Sequence, residues 1–347
     1  MMKIVSTILT ILAVLCLGGA ALAAEELLGA GATFPEPLYS KMFDVYYSQT
    51  GNKVNYQGIG SGGGIQQILG KTVDFGGTDA FLTPEQLAKS PDNPLLHIPT
   101  AMGAVVVTYN LPGKPQLKMT PDVIAGIFLG QIKSWNDSRI TGLNPGVQLP
   151  GDPIVVVHRS DGSGTSFVFT DYLSKVSPEW KDKVGAGTAV KWPVGLGGKG
   201  NPGVAGLVQQ MKGAVGYVEL SYAKKNNLPY AVVKNRAGNF IVPSIKSVSL
   251  AAGASMPDDT RVSITDTDAK DGYPISAFTW ILVYREQAYG GRTAGKGKAM
   301  AKLLWWMTHE GQKYCAELLY SPLSNEVKAK AEKIIKSMTF NGQPILK

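Results

Sequence analysis

Apolar and polar positions change period repeatedly along the chain, and the changes mark out elements. Residues 26–29 read as a short strand and 35–50 as a helix, with Pro35 suited to the first helical turn. A strand over 53–57, a helix from about 63 to 69 and a strand over 73–76 complete a βαβαβ pattern. Thr83-Pro84-Glu85-Gln86 then supplies an N-cap, a first-turn proline and a capping-box glutamine, so another helix starts there. Residues 104–110 form a β-branched apolar run that stops at Leu111-Pro112-Gly113, and a new helix opens at Thr120-Pro121-Asp122. The chain is expected to cross from one lobe to another near Tyr109.

Beyond that crossing, 154–158 is a continuous apolar strand of the buried, parallel kind, followed by a polar turn and a helix over 165–175. Asn201 is expected to cap a helix running to about Met211, and 214–218 reads as a strand. Residues 251–273 are polar and loop-rich. The strong strand over 278–284 reads as the return into the first lobe, completed by amphipathic helices over 300–308, 312–319 and 327–338. No internal repeat appears.

The first residues follow a different rule. A single Lys3 precedes an apolar run over 4–17 and a small-residue stretch over 18–24, in which Ala21-Leu22-Ala23 fits a cleavage site. Residues 1–24 are therefore expected to be a secretory signal peptide, too short in its apolar part for the ~20 residues that span a bilayer. Cys16 offers the alternative of lipid attachment, but Leu15 before it is bulkier than such sites require. With the leader gone, Cys315 is the only cysteine and no intrachain disulfide can form. It lies at helical spacing from Leu318 and Leu319, which points to core packing. A remaining chain of about 320 residues exceeds what one core usually supports, so two lobes are expected: 25–108 plus 275–347, and 109–274.

Charge narrows the functional classes. The formal net charge of +8 falls by one unit with Lys3, and the basic residues are dispersed rather than blocked. Without a basic run or an aromatic-basic motif, nothing supports a nucleic-acid partner.

In open α/β sheets ligands bind beyond the carboxyl ends of the strands. Four turns there share one chemistry: Gly31-Ala32-Thr33-Phe34, Gly60-Ser61-Gly62-Gly63, Gly77-Thr78-Asp79 and Arg159-Ser160-Asp161-Gly162-Ser163-Gly164-Thr165. Three of them lead into helices and offer hydroxyls beside small residues, which exposes backbone N–H groups and gathers helix N-termini around one point. Such a point attracts anions. Arg159 adds an obligate positive charge whose fork of donors matches a tetrahedral oxyanion, and Asp161 is placed to orient that fork from behind.

With these motifs, the chain resembles the periplasmic phosphate-binding proteins of phosphate-specific transport (Pst) ABC systems. The likeness covers nearly everything after the leader and is densest over 29–35, 52–64, 73–80, 159–170 and 191–201. Its most specific parts are the run Asp161-Gly162-Ser163-Gly164-Thr165-Ser166-Phe167 and the pair Trp192-Pro193. The resemblance implies the α/β, two-lobed periplasmic-binding-protein fold of type II, each lobe a mixed sheet flanked by helices, with the ligand in the interlobe cleft. It also implies a ligand set. Thr33, Phe34 through its backbone N–H, Ser61 and Asp79 would hold phosphate from the first lobe, and Arg159, Ser163, Gly164 through its backbone and Thr165 from the second. Gly62 stands where relatives often have serine. The function implied is high-affinity capture of inorganic phosphate in the periplasm and its delivery to a membrane-embedded ABC permease with a cytoplasmic ATPase. No catalysis, cofactor or metal is implied, and the chain is expected to act as a monomer.

Two enzymes compete with that reading. Gly58-Ile59-Gly60-Ser61-Gly62-Gly63 fits the dinucleotide fingerprint G-x-G-x-x-G, with Asp79 at a suggestive distance. Asp79, however, follows the third expected strand, where the ribose acid should end the second. A second match over 195–200 follows no clear strand. An exported phosphatase would use Ser163 beside Arg159, but a serine nucleophile needs a base. Alternation along 154–158 turns His158 away from Arg159, and His97 and His309 are scattered.

Overall fold

The computed structural model describes residues 24–253 and 256–347, so the expected leader, Ala24 apart, lies outside the described residues together with Cys16. In chain order the strands are β1 (Glu26–Gly31), β2 (Lys53–Gly58), β3 (Phe75–Thr78), β4 (Leu95–Tyr109), β5 (Lys118–Met119), β6 (Val155–Arg159) and β7 (Leu196–Gly198). They continue with β8 (Ala214–Glu219), β9 (Val232–Lys234), β10 (Phe240–Ile241), β11 (Ser276–Tyr284), β12 (Thr339–Phe340) and β13 (Gln343–Pro344). Eight form one mixed sheet in the order β2-β1-β3-β11-β4-β8-β6-β7. A small three-stranded sheet, β10-β9-β5, and the hairpin β12-β13 stand apart from it.

This order produces two halves. β1 pairs in parallel with β2 and β3, and β11 runs antiparallel between β3 and β4. On the other side β8, β6 and β7 are mutually parallel. β4 belongs to both: its residues 95–104 pair with β11, and its residues 105–109 pair with β8. Almost every side chain of β4 is buried, because helices cover both of its faces, among them Asn325–Lys336, Ile245–Ala251 and Leu220–Lys225. Buried residues of both halves, such as Phe75, Val106, Tyr217 and Ile281, belong to one continuous core. Cys315 is buried in the same core.

Three elements differ from the periodicity. The third strand begins at Phe75 rather than at residue 73. Asp74 explains this: its carboxylate accepts from the Leu28 N–H and is paired with Arg292 and Lys296, which anchors the turn ahead of the strand. β4 starts nine residues before the expected 104, since Pro99 is absorbed where the β11 ladder shifts register between Thr279 and Trp280. The helix expected over 312–319 is instead two 3-10 stretches, Glu310–Tyr314 and Ala316–Leu318. There the Gln312 side chain donates to the Thr100 and Met307 carbonyls and accepts from the Leu323 N–H, tying the segment to β4 instead of to a regular helix.

Candidate functional site

The site forms where the carboxyl ends of β1, β2 and β3 face those of β6 and β7. At the end of β1 the backbone turns at Gly31, whose carbonyl accepts from the Ile59 and Gly60 N–H groups, and Thr33 and Phe34 follow into the helix Glu36–Thr50. Both are buried. Tyr222 donates to the Thr33 carbonyl (2.6 Å) and Tyr320 to the Phe34 carbonyl (2.6 Å), so two hydroxyls grip successive peptide planes of this turn. At the end of β2, Ser61 opens the helix Ser61–Leu69, and its Oγ accepts from the Asp79 N–H at 3.2 Å.

Across from these, β6 ends at Arg159, which is 3 % exposed. Its Nε and Nη2 form a two-pronged pair with Asp161, and its Nη1 donates to Thr165 Oγ1 at 3.3 Å. Asp161 also accepts from the Gly200 N–H at 2.9 Å. Burial pushes the Asp161 carboxyl up, but the Arg159 hydrogen bonds and charge outweigh it and hold the carboxyl below its ordinary value. Ser163 caps the helix Gly164–Val176, accepting from the Ser166 N–H at 3.0 Å.

The two sides touch. The Gly62 N–H donates to the Gly162 carbonyl at 2.8 Å. A Cβ at Gly62 would stand 3.0 Å from the Gly162 Cα, so in this chain the absent serine leaves room for the approach. At Gly164 the fit is closer: a Cβ would lie 2.4 Å from Ser61 Oγ and 2.5 Å from Asp79 Oδ2. Thus Thr33, Phe34, Ser61, Asp79, Arg159, Ser163, Gly164 and Thr165 converge on one buried place, with Asp161 behind Arg159.

Asp79 is the unusual group there. Its Oδ1 accepts from Thr279 Oγ1 at 2.8 Å, whereas its Oδ2 is buried with no hydrogen-bond partner. Burial raises its pKa to about 7, against the opposing effects of Thr279, Arg159 and Ser61. A partnerless buried acceptor between hydroxyl and guanidinium donors suits a ligand that brings both oxygens and a proton.

A model described as a PBP superfamily domain matches residues 18–310. Among curated proteins, the phosphate-binding protein PstS of Pasteurella multocida is 46 % identical over 309 residues, covering 88 % of each chain. The chain belongs to the PstS family of phosphate-binding proteins. PstS of the archaeon Methanocaldococcus jannaschii is 41 % identical, over 82 % of this chain and 78 % of its own. The crystal structure of a phosphate-binding protein from Stenotrophomonas maltophilia shares the fold at a TM-score of 0.68 and 19 % identity, covering 89 % of this chain and 94 % of that one.

Several PstS-family site neighbours escaped the sequence reading. Asn201, expected as a helix cap, lies inside the helix Gly200–Gln210, whose N-cap is Lys199. Its Nδ2 donates to Thr33 Oγ1 (2.9 Å) and Thr165 Oγ1 (3.0 Å), and its Oδ1 accepts from the Glu219 N–H (2.9 Å). Thr279 comes from β11, two hundred residues beyond its partner Asp79. Glu219 is fully buried at the end of β8, and burial raises its pKa to about 8. Only the small-residue run around Asn201 marked any of these in the sequence. The histidines lie elsewhere: His97 accepts from the Leu82 N–H (3.1 Å), His158 stacks on Trp192 and His309 meets Glu332 (3.1 Å).

Proposed function

We propose that this chain binds inorganic phosphate outside the cytoplasmic membrane and hands it to an ABC import permease, without chemical turnover. Phosphate-binding relatives at 41–46 % identity over most of the chain support the ligand. The observation that carries the reading is the meeting of loops from opposite halves of the sheet around Arg159 and the partnerless Asp79 oxygen. On this reading the lobes are 25–108 plus 275–347 and 109–274, and they close over the anion. The ligands are Thr33, Phe34, Ser61, Asp79, Arg159, Ser163, Gly164 and Thr165.

Donors replace the water of the anion, and Asp79 supplies discrimination. Near neutral pH phosphate retains at least one proton, which an ionised Asp79 accepts as a hydrogen bond; sulfate has none, and meets a carboxylate with like charge in a desolvated place. Catalysis is not part of the proposal. Ser163 Oγ serves as a helix cap, and the ring of His158 stacks on Trp192. On this reading the carrier works as a monomer in the periplasm; no helix among the described residues is long and apolar enough to cross a membrane.

Calorimetric titration of the purified protein with phosphate, arsenate, sulfate and nitrate tests this. Phosphate is expected to bind one to one, and sulfate ~10⁴-fold more weakly or worse, the factor typical of sites that read a buried hydrogen bond. Sulfate binding as tight as phosphate would overturn the reading.

A further inference from the structure

A hydroxyl is an ambiguous ligand: it has one proton to give and two lone pairs that accept, and its rotor decides which faces a guest. We propose that Asn201 is a positioning residue that removes this ambiguity at Thr33 and Thr165, forcing both hydroxyls to act as donors toward the anion and joining the two lobes through its bonds to Thr33. The inference rests on the phosphate reading above.

The orientation of the amide is fixed by its surroundings. The Glu219 N–H can only donate, so the Asn201 atom it meets at 2.9 Å is the carbonyl Oδ1, and the other atom is the NH₂ group. That group has two protons, and two acceptors receive them: Thr33 Oγ1 at 2.9 Å and Thr165 Oγ1 at 3.0 Å. The Asn201 backbone N–H also donates to Thr33 Oγ1, at 3.0 Å. Both lone pairs of Thr33 are therefore filled by Asn201 alone. At Thr165 one is filled by Asn201 and the other by Arg159 Nη1 at 3.3 Å. Neither hydroxyl retains a free lone pair, so each has only its proton to offer.

All these groups are buried away from bulk water. At Thr165, held within one lobe, the donor needs no reorientation when the anion arrives and the rotor entropy is lost before binding; at Thr33 the donor is fixed as the lobes close. Because Thr33 lies in the proposed first lobe while Asn201 and Thr165 lie in the second, the two bonds to Thr33 form only on closure, whereas the bond to Thr165 is made within the second lobe. Their loss is expected chiefly in the rate of phosphate release.

The test is a mutant cycle in phosphate affinity and release rate, with Asn201→Ala, the pair Thr33→Val and Thr165→Val, and all three together. Asn201→Ala is expected to weaken phosphate binding about 10- to 100-fold, the usual consequence of leaving buried partners unsatisfied, mostly through faster release. In the double-valine background the same change is expected to alter affinity less than about 3-fold, because no hydroxyl remains to orient. A purely structural Asn201 would cost the same factor in both backgrounds, and that result overturns the proposal. If Asn201→Ala melts early, the cycle is run with Asn201→Asp, which keeps the shape and the Glu219 bond but turns an acceptor toward the hydroxyls; its loss is expected to shrink in the double-valine background, and an equal loss in both is overturning. Wild-type protein that fails to bind phosphate would overturn the phosphate reading and this inference with it. Wild-type binding with additive losses overturns this inference alone.

Discussion

A buried carboxylate costs the fold something when it ionises, and Asp79 shows the sign. Its pKa rises from an ordinary 3.8 to about 7, so its stabilising contribution is fully present below the unfolded value and is lost as pH rises through the folded one. For a shift of this size the loss is on the order of a few kcal/mol. The closed form with Asp79 buried is expected to melt at lower temperature as pH goes from about 4 to 8, and Asp79→Asn should flatten much of that slope. Glu219, raised by burial to about 8, has the same sign and contributes to what remains. Calorimetric melts of both proteins across the range check this, and parallel slopes would count against it. The same variant should lower the preference for phosphate over sulfate. Asp79 and Arg159 were legible in the sequence because turn chemistry and a charged fork are local properties. Thr279, Asn201 and Glu219 were not, since their partners lie 200, 18 to 168 and up to 101 residues away and only the fold brings them together.

Turns and helix starts make up the next scale. Gly164 opens its helix against Ser61 and Asp79, and no side chain fits between them. Gly164→Ala is expected to leave the melting temperature of ligand-free protein little changed, because the added methyl is crowded only when the loops meet. It should weaken phosphate at least about 100-fold, as overpacking at a closed contact costs typically 1–3 kcal/mol and here also displaces two of the proposed ligand groups. Titration beside a thermal melt separates the two effects, and near-normal binding would show that the loops need not meet so closely. Elements with a clear period were readable: the first helix, the strands at the site and the helix after Ser163 lie close to where the pattern puts them. β4 was half readable, for a strand buried on both faces shows no alternation and Pro99 and Gly103 look like breaks. The 3-10 stretches after residue 309 depend on the side chain of Gln312, which no helical period encodes.

At the scale of the whole molecule, the proposed ligands come from both halves, and the proposal therefore requires a hinge. Phosphate is expected to reduce the radius of gyration measured by small-angle scattering, starting from protein stripped of phosphate by denaturation and refolding. An unchanged radius would mean that the ligand enters a form already shut. The hinge itself has an unusual construction, since β4 is at once the border and a shared member of both halves. To unravel one lobe alone would leave half of that strand without its ladder and open a core that both halves share. Resistance to proteases is therefore expected to be a property of the whole chain. Limited proteolysis is expected to track unfolding of both lobes together rather than the opening of either one alone.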